Sequence, residues 1–110
     1  MQIRLVQPRP DAVVVELLGE HDLSTAPYLE HAFASLLAAN SLVVVDLSET
    51  EFIDSSTLLA FVHANRLAHA RGVGFRLQLP PAAVVAKTLE IGGILEQIPS
   101  FPTRETALSS

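Results

Sequence analysis

Apolar and polar positions along the chain fall into stretches of period two and stretches of helical period, and the two kinds alternate. Ile3, Leu5 and Gln7 alternate with Arg4 and Val6, the pattern of a half-buried first strand, and Pro8-Arg9-Pro10-Asp11 then turns the chain. Val13–Leu18 reads as a second strand in a hairpin with the first, whose proline-rich turn puts that first strand at or near a sheet edge. Gly19-Glu20-His21-Asp22 leads out of the sheet. Ser24 or Thr25 can cap the next helix, Pro27 is tolerated in its first turn, and Leu29, Phe33, Leu36 and Leu37 recur on one face. After Asn40-Ser41, Leu42–Leu47 is an unbroken apolar run, mostly β-branched and too short for a helix, which predicts a buried central strand. Ser48-Glu49-Thr50-Glu51 is turn material. A helix from Ser55 to about Arg71 buries Leu58, Phe61, Val62 and Ala68 and stops at Gly72.

Val73, Phe75, Leu77 and Leu79 then alternate with Gly74, Arg76 and Gln78, as in a strand with one buried and one wet face. Pro80-Pro81 ends it and opens a third helix through about Ile91, with Val84, Val85 and Leu89 inward and Gly92-Gly93 at its end. Ile94–Ile98 reads as a short last strand, and Thr103 caps a final helical turn holding Ala107 and Leu108. This order predicts an α/β fold: a mixed sheet of about four to five strands, right-handed crossovers between its parallel strands, and about four helices.

Composition narrows the picture. A chain of 110 residues, read as one domain over 1–110, is large enough to bury most of the surface its unfolded form exposes. At 49% hydrophobic and 17% charged it reads as folded throughout. No apolar run approaches the roughly 18 residues of a bilayer span and no signal peptide opens the chain, so a cytoplasmic protein without membrane insertion is expected. Zero cysteines exclude disulfides, thiolate chemistry and cysteine-ligated metal. A net charge of −5 and only 7 Lys plus Arg, with no basic cluster, exclude nucleic acid as a partner.

The candidate chemistry gathers in Val43–Leu59, VVVDLSETEFIDSSTLL. Asp54 stands at an N-cap, where its carboxylate can accept from the backbone of Ser56 or Thr57, and Ile53 and Leu58 can form a hydrophobic staple. Ser55 then lies on the first turn, where unpaired N–H groups and the helix dipole favour added negative charge, including a phosphate. Pattern alone favours the plainer readings: Ser55 as an ordinary helix-start serine, Asp54 as a plain cap, and Asp22 as a loop acid or second cap. A serine hydrolase is the rival chemistry. The Gly-x-Ser-x-Gly elbow is absent, and His63 and His69 lie two or more turns along the Ser55 helix, which leaves His21 and His31 as bases only through the tertiary fold. His63 and His69 also lack the i, i+4 spacing of a helical metal pair, no phosphate loop follows a strand, and neither metal nor cofactor is expected.

The stretch VVVDLSETEFIDSSTLLAF resembles the signature of the STAS domain of bacterial anti-sigma factor antagonists, also called anti-anti-sigma factors. Gly19-Glu20-His21-Asp22 is similar to the family's Gly-Glu-Leu-Asp, and Leu89–Leu95 to its Leu-x-x-x-Gly-Leu segment. The three motifs occur in the family's order along nearly the whole chain. The resemblance implies a single STAS-like domain that is not an enzyme, phosphorylation at Ser55, and a partner surface of Glu20, Asp22, Asp54, Ser55, Ser56 and Thr57. It implies as partner an anti-sigma factor that is itself a serine kinase using ATP and magnesium, with a phosphatase restoring the unmodified form, and a monomer or weak dimer. Two positions depart from the family. His21 replaces an apolar residue and reads as an exposed loop histidine. Thr57 replaces a glycine, adding bulk beside the acceptor serine, and so supports the alternative of a constitutive accessory or scaffold subunit of a transporter or signalling complex without a Ser55 switch.

Overall fold

The strand Leu42–Asp46 (β4) is buried along its whole length, and its apolar side chains on both faces demand cover on both sides. The computed structural model, which describes residues 2–109, supplies that cover. β4 pairs in parallel with Ala12–Leu17 (β2) on one side and Gly74–Gln78 (β6) on the other. The edge strand Ile3–Arg9 (β1) runs antiparallel to β2, and Ser100–Phe101 (β7) adds a short parallel strand, giving the order β1-β2-β4-β6-β7. Pro8 falls inside β1 rather than in the turn, and the register slips between Val6 and Arg9, which an edge strand tolerates.

One face of the sheet, with Val13, Val15, Leu17, Val43, Val45 and Leu47, packs against Ala26–Ala39 (α1) and Ser55–Arg71 (α2). Phe33 of α1 holds the centre of this layer, its ring 6.0 Å from Phe61 of α2 and 5.4 Å, edge-on, from Phe75 of β6. On the other face Ala12, Val14, Leu42 and Val44 lie under Ala107 of Arg104–Leu108 (α4). Period two along β2 and β4 therefore feeds two cores. Thr103 begins α4 with a reciprocal capping box to Thr106, and Gly72 ends α2 in the left-handed conformation, at φ +69°, where glycine carries no Cβ penalty.

The expected α/β class, the mixed sheet and the four helices are present, with differences that have physical causes. Gly19–His21 (β3) and Thr50–Ile53 (β5), read from sequence as an exit and a turn, form a second, two-stranded parallel sheet. The third helix (α3) covers only Ala86–Ile91, because the Pro80-Pro81 pair disfavours helical backbone and two successive turns, Pro80–Ala83 and Ala83–Ala86, come first. Val84 consequently faces solvent at 71% exposure instead of pointing inward, while Val85 and Leu89 are buried as expected. Ile94–Ile98 is not a strand. Ile94–Glu96 is a 3₁₀ turn whose continuation buries Ile94 and Ile98 at helical spacing, and the last strand is β7. The face of β6 bearing Gln78 is not wet, because α4 covers it.

Truncating Phe33 to alanine removes the ring that both neighbouring aromatics contact and is expected to cost about 3–5 kcal/mol. Leu23→Ala, at an exposed loop position, should fall within about 0.5 kcal/mol of wild type. Urea denaturation of the two variants checks the contrast.

Candidate functional site

The small β3–β5 sheet brings the two candidate loops together. Glu20 pairs with Phe52 and His21 with Ile53 in parallel register, so the residues that follow, Asp22 and Asp54, leave the sheet side by side. Their proximity is electrostatic as well, since the Asp54 charge opposes ionisation of Asp22 across the junction. The carbonyl of His21 accepts two donors from the Ser55 segment, the Asp54 N–H at 3.2 Å and the Thr57 hydroxyl at 3.1 Å.

Asp54 caps α2 as its sequence position predicts. One carboxylate oxygen, Oδ1, accepts from Thr57 N–H at 3.1 Å and from the Ser56 hydroxyl at 2.6 Å. These donors, Ser56 foremost, hold the Asp54 carboxyl below its ordinary value of 3.8. Asp22 builds a similar turn in its own loop: its Oδ1 accepts from the Ser24 hydroxyl at 2.6 Å and the Ser24 N–H at 2.9 Å, which likewise depress its pKa.

Three adjacent hydroxyls thus separate into distinct roles. Ser56 is spent on Asp54 and Thr57 on His21, while Ser55, exposed on the first residue of α2, forms no side-chain hydrogen bond among the described residues. Thr57 is 0% exposed and faces the sheet along with Ala60, Phe61 and Ala64. Its bulk lies beneath the helix tip rather than beside Ser55, and its side chain has no surface to offer a partner. The sequence expectation of Thr57 as a partner-facing residue is corrected accordingly.

His21 is the second correction. Instead of an exposed loop residue it is 0% exposed, with Nε2 3.2 Å from the Leu18 carbonyl and Nδ1 3.3 Å from the Thr25 hydroxyl. Burial lowers its pKa and favours the neutral ring. With both ring nitrogens engaged away from Ser55, His21 does not serve it as a base, and His63 pairs instead with Glu30 across α1 and α2 at 2.8 Å. Glu20, Asp22 and Ser55 are all exposed and Asp54 is half-buried. Around them lie apolar side chains that the sequence reading did not single out: Leu23 after Asp22, Phe52 opposite Glu20, and Leu59 one helical turn beyond Ser55. The signal was available for Phe52, which alternates with inward Ile53, and for Leu59, at i+4 from Ser55. Together they make an acidic surface with exposed apolar side chains.

A five-strand mixed sheet with α1 and α2 on one face and α4 on the other, and an exposed serine at a capped helix start near the loop after β3, match the STAS class. A family model described as "Mlab, STAS domain" matches residues 5–98, and the chain belongs to this family. Among solved structures, an anti-sigma factor antagonist from Mycobacterium paratuberculosis is 28% identical, with a TM-score of 0.82 over 96% of this chain and 91% of that one. The anti-sigma factor antagonist SpoIIAA in its unphosphorylated form is 20% identical, with a TM-score of 0.79 over 96% and 92% of the two chains. A sulfate transporter family protein from Wolinella succinogenes is 16% identical, with a TM-score of 0.74 over 88% and 81%. The last two likenesses show the fold. No curated protein matches the chain.

Replacing Asp54 by alanine frees the first-turn donors and should cost about 1 kcal/mol. Because the folded-state pKa is depressed, the carboxylate's contribution is complete above the unfolded value of 3.8 and is lost as pH falls through the lower, folded value. Asp54→Asn should therefore flatten the acid limb of a stability-versus-pH curve, as chemical denaturation between neutral and strongly acidic pH will show. Thr57→Val keeps the buried volume but removes the hydroxyl from the His21 carbonyl, with an expected loss of about 1 kcal/mol. Matched denaturation curves measure it.

Proposed function

We propose that this chain is an anti-sigma factor antagonist: its unmodified form binds an anti-sigma factor that is also a serine kinase, and phosphorylation of Ser55 switches that binding off. The observation that carries this reading is the free Ser55 hydroxyl, exposed between the Asp22 loop and the Asp54 cap, while both neighbouring hydroxyls are engaged. The 28% identical antagonist supports the partner class, and SpoIIAA, solved in both unphosphorylated and phosphorylated forms, supports phosphorylation as a modification that this fold accepts. The kinase would use ATP and magnesium, a phosphatase would restore the docking form, and the pair would act in the cytoplasm. Of the implied partner surface, Glu20, Asp22, Asp54, Ser55 and Ser56 remain, joined by Leu23, Phe52 and Leu59 as apolar anchors.

The magnitudes are adequate. A phosphate adds about −1.5 to −2 charge beside Asp22 and Asp54. One unit-charge pair at 4 Å and an effective dielectric of 20 is worth about 4 kcal/mol. Turning 99:1 bound into 1:99 takes about 5.5 kcal/mol, so one phosphate is of the right scale.

A second reading, a constitutive accessory subunit of a transporter or signalling complex, is favoured by the fold shared with a sulfate transporter family protein. Its other support weakens, since the buried Thr57 does not crowd Ser55. Ser55 variants separate the two. With an anti-sigma factor kinase and ATP, mass spectrometry should find phosphate on Ser55, and wild-type binding should dissolve. Ser55→Ala should keep binding in the presence of ATP, and Ser55→Asp should weaken it at least about tenfold. Equal affinity for all three proteins would reject the switch and favour the constitutive subunit.

A further inference from the structure

Beneath α4 lies a polar row that the Ser55 reading leaves unexplained. Glu16, Asp46 and Gln78 are aligned neighbours across β2, β4 and β6, near the strand ends from which the Ser55 segment departs, and all three are buried. A single nitrogen of Arg104, Nη2, donates to Glu16 Oε2 at 2.6 Å and to Asp46 Oδ2 at 2.7 Å, while Nε reaches Gln78 Oε1 at 3.3 Å. Arg4 takes the other oxygen of Glu16. Two carboxylates side by side in a buried register repel each other strongly unless a cation bridges them, and Arg104 is that bridge.

Asp46 is bonded in two directions. While Oδ2 holds Arg104, Oδ1 accepts from the Ser48 N–H at 2.9 Å and the Ser48 hydroxyl at 2.7 Å. Those bonds form the turn after β4, which is closed by Thr50 N–H to the Leu47 carbonyl and joined to β3 by Gly19 N–H to the Glu49 carbonyl. From this turn β5 runs directly into Asp54 and Ser55.

We propose that Arg104 is a positioning residue for the Ser55 surface: by fixing the Asp46 carboxylate from the opposite face of the sheet, α4 sets the turn that delivers β5, Asp54 and Ser55 to their place beside the Asp22 loop. Its importance for signalling rests on the proposed role of Ser55, whereas the mechanical link does not. Release of α4 would leave Asp46 repelled by Glu16 and free to abandon Ser48, loosening the β3–β5 sheet while the Phe33 layer stays packed.

Amide hydrogen exchange on the full chain, with no partner present, tests the link by comparing wild type with Arg104→Met and Arg104→Lys. The expected result is faster exchange at Ser48, Thr50, Gly19 and Asp54, about three- to tenfold for the methionine variant, with the amides of α1 unchanged. Lysine, which keeps the charge but not the planar fork, should give an intermediate value. If the methionine variant does not fold, lysine against wild type carries the comparison, with about a twofold increase expected. Wild-type protection of these amides, or a uniform acceleration that includes α1, overturns the proposal. That failure would leave Ser55 untouched, just as equal affinities among the Ser55 variants would leave the exchange pattern standing.

Discussion

The carbonyl oxygen of His21 is where the candidate surface is joined to the fold. It receives the Asp54 N–H and the Thr57 hydroxyl, so the end of β3 and the start of α2 share one acceptor. A strand pair of three and four residues is too short to hold its own register in water. It persists because Thr57 is anchored from below by the packed face of α2 and because the His21 ring is wedged between Leu18 and Thr25. Burial that keeps His21 neutral also spares the interior an uncompensated charge. The surface is in this sense an outgrowth of the helix-side core, with rigid elements beneath a mobile-looking loop sequence.

The second core accounts for a chain segment that is otherwise hard to place. With β4 apolar on both faces, a layer of helices on one side leaves Val14, Leu42 and Val44 to be covered by something else, and the C-terminal residues do it. α4 has only five residues and little apolar area, so its attachment is reinforced by charge. Arg104 binds the buried acids from its start, while Arg9 and Arg76 donate to the carbonyls of Leu108, Ala107 and Ser109 at its end. Cations at a helix C-terminus also meet its dipole favourably. Glu16 responds by holding its proton less tightly than an ordinary glutamate, chiefly through Arg104.

What could be read from sequence was local, and what could not was set by partners distant in the chain. The β-branched run at 42–47, the bounds of α2, the Asp54 cap and the Thr103 cap all follow from residues within one or two turns of each other. β3 and β5 escaped because neither is long enough to show a period and each is a strand only by virtue of the other, some thirty residues away. His21 belongs with them: Gly-Glu-His-Asp is loop-like by composition, and although its ring partners Leu18 and Thr25 are near in sequence, the strand that it belongs to exists only through pairing with β5, where His21 meets Ile53. Thr57 was legible in principle. Residues 57, 60, 61, 64 and 68 make one helical stripe, and reading the helix from Thr57 instead of Leu58 would have turned the threonine inward. Gln78 could not be read as covered without knowing that α4 returns over it.

The placement of Ser55 has an energetic asymmetry suited to the proposed switch. At the first residue of a 17-residue helix, a phosphate meets unpaired N–H groups and the positive end of the dipole, an interaction worth about 0.3–1 kcal/mol in favour of the modified fold. The neighbouring Asp22 and Asp54 charges act in the opposite sense, but with Asp22 and Ser55 exposed and Asp54 half-exposed, water screens them in the free protein. Folding stability, typically about 5–15 kcal/mol, is therefore little disturbed. When a partner covers the surface the same charges lose their water, and repulsion that was negligible grows to several kcal/mol. In the proposed switch the fold would tolerate the phosphate while the interface would not, a difference that would arise from desolvation on docking. It requires an acceptor hydroxyl that is free and exposed before binding, as Ser55 is, whereas Ser56 and Thr57 are already bonded within the chain.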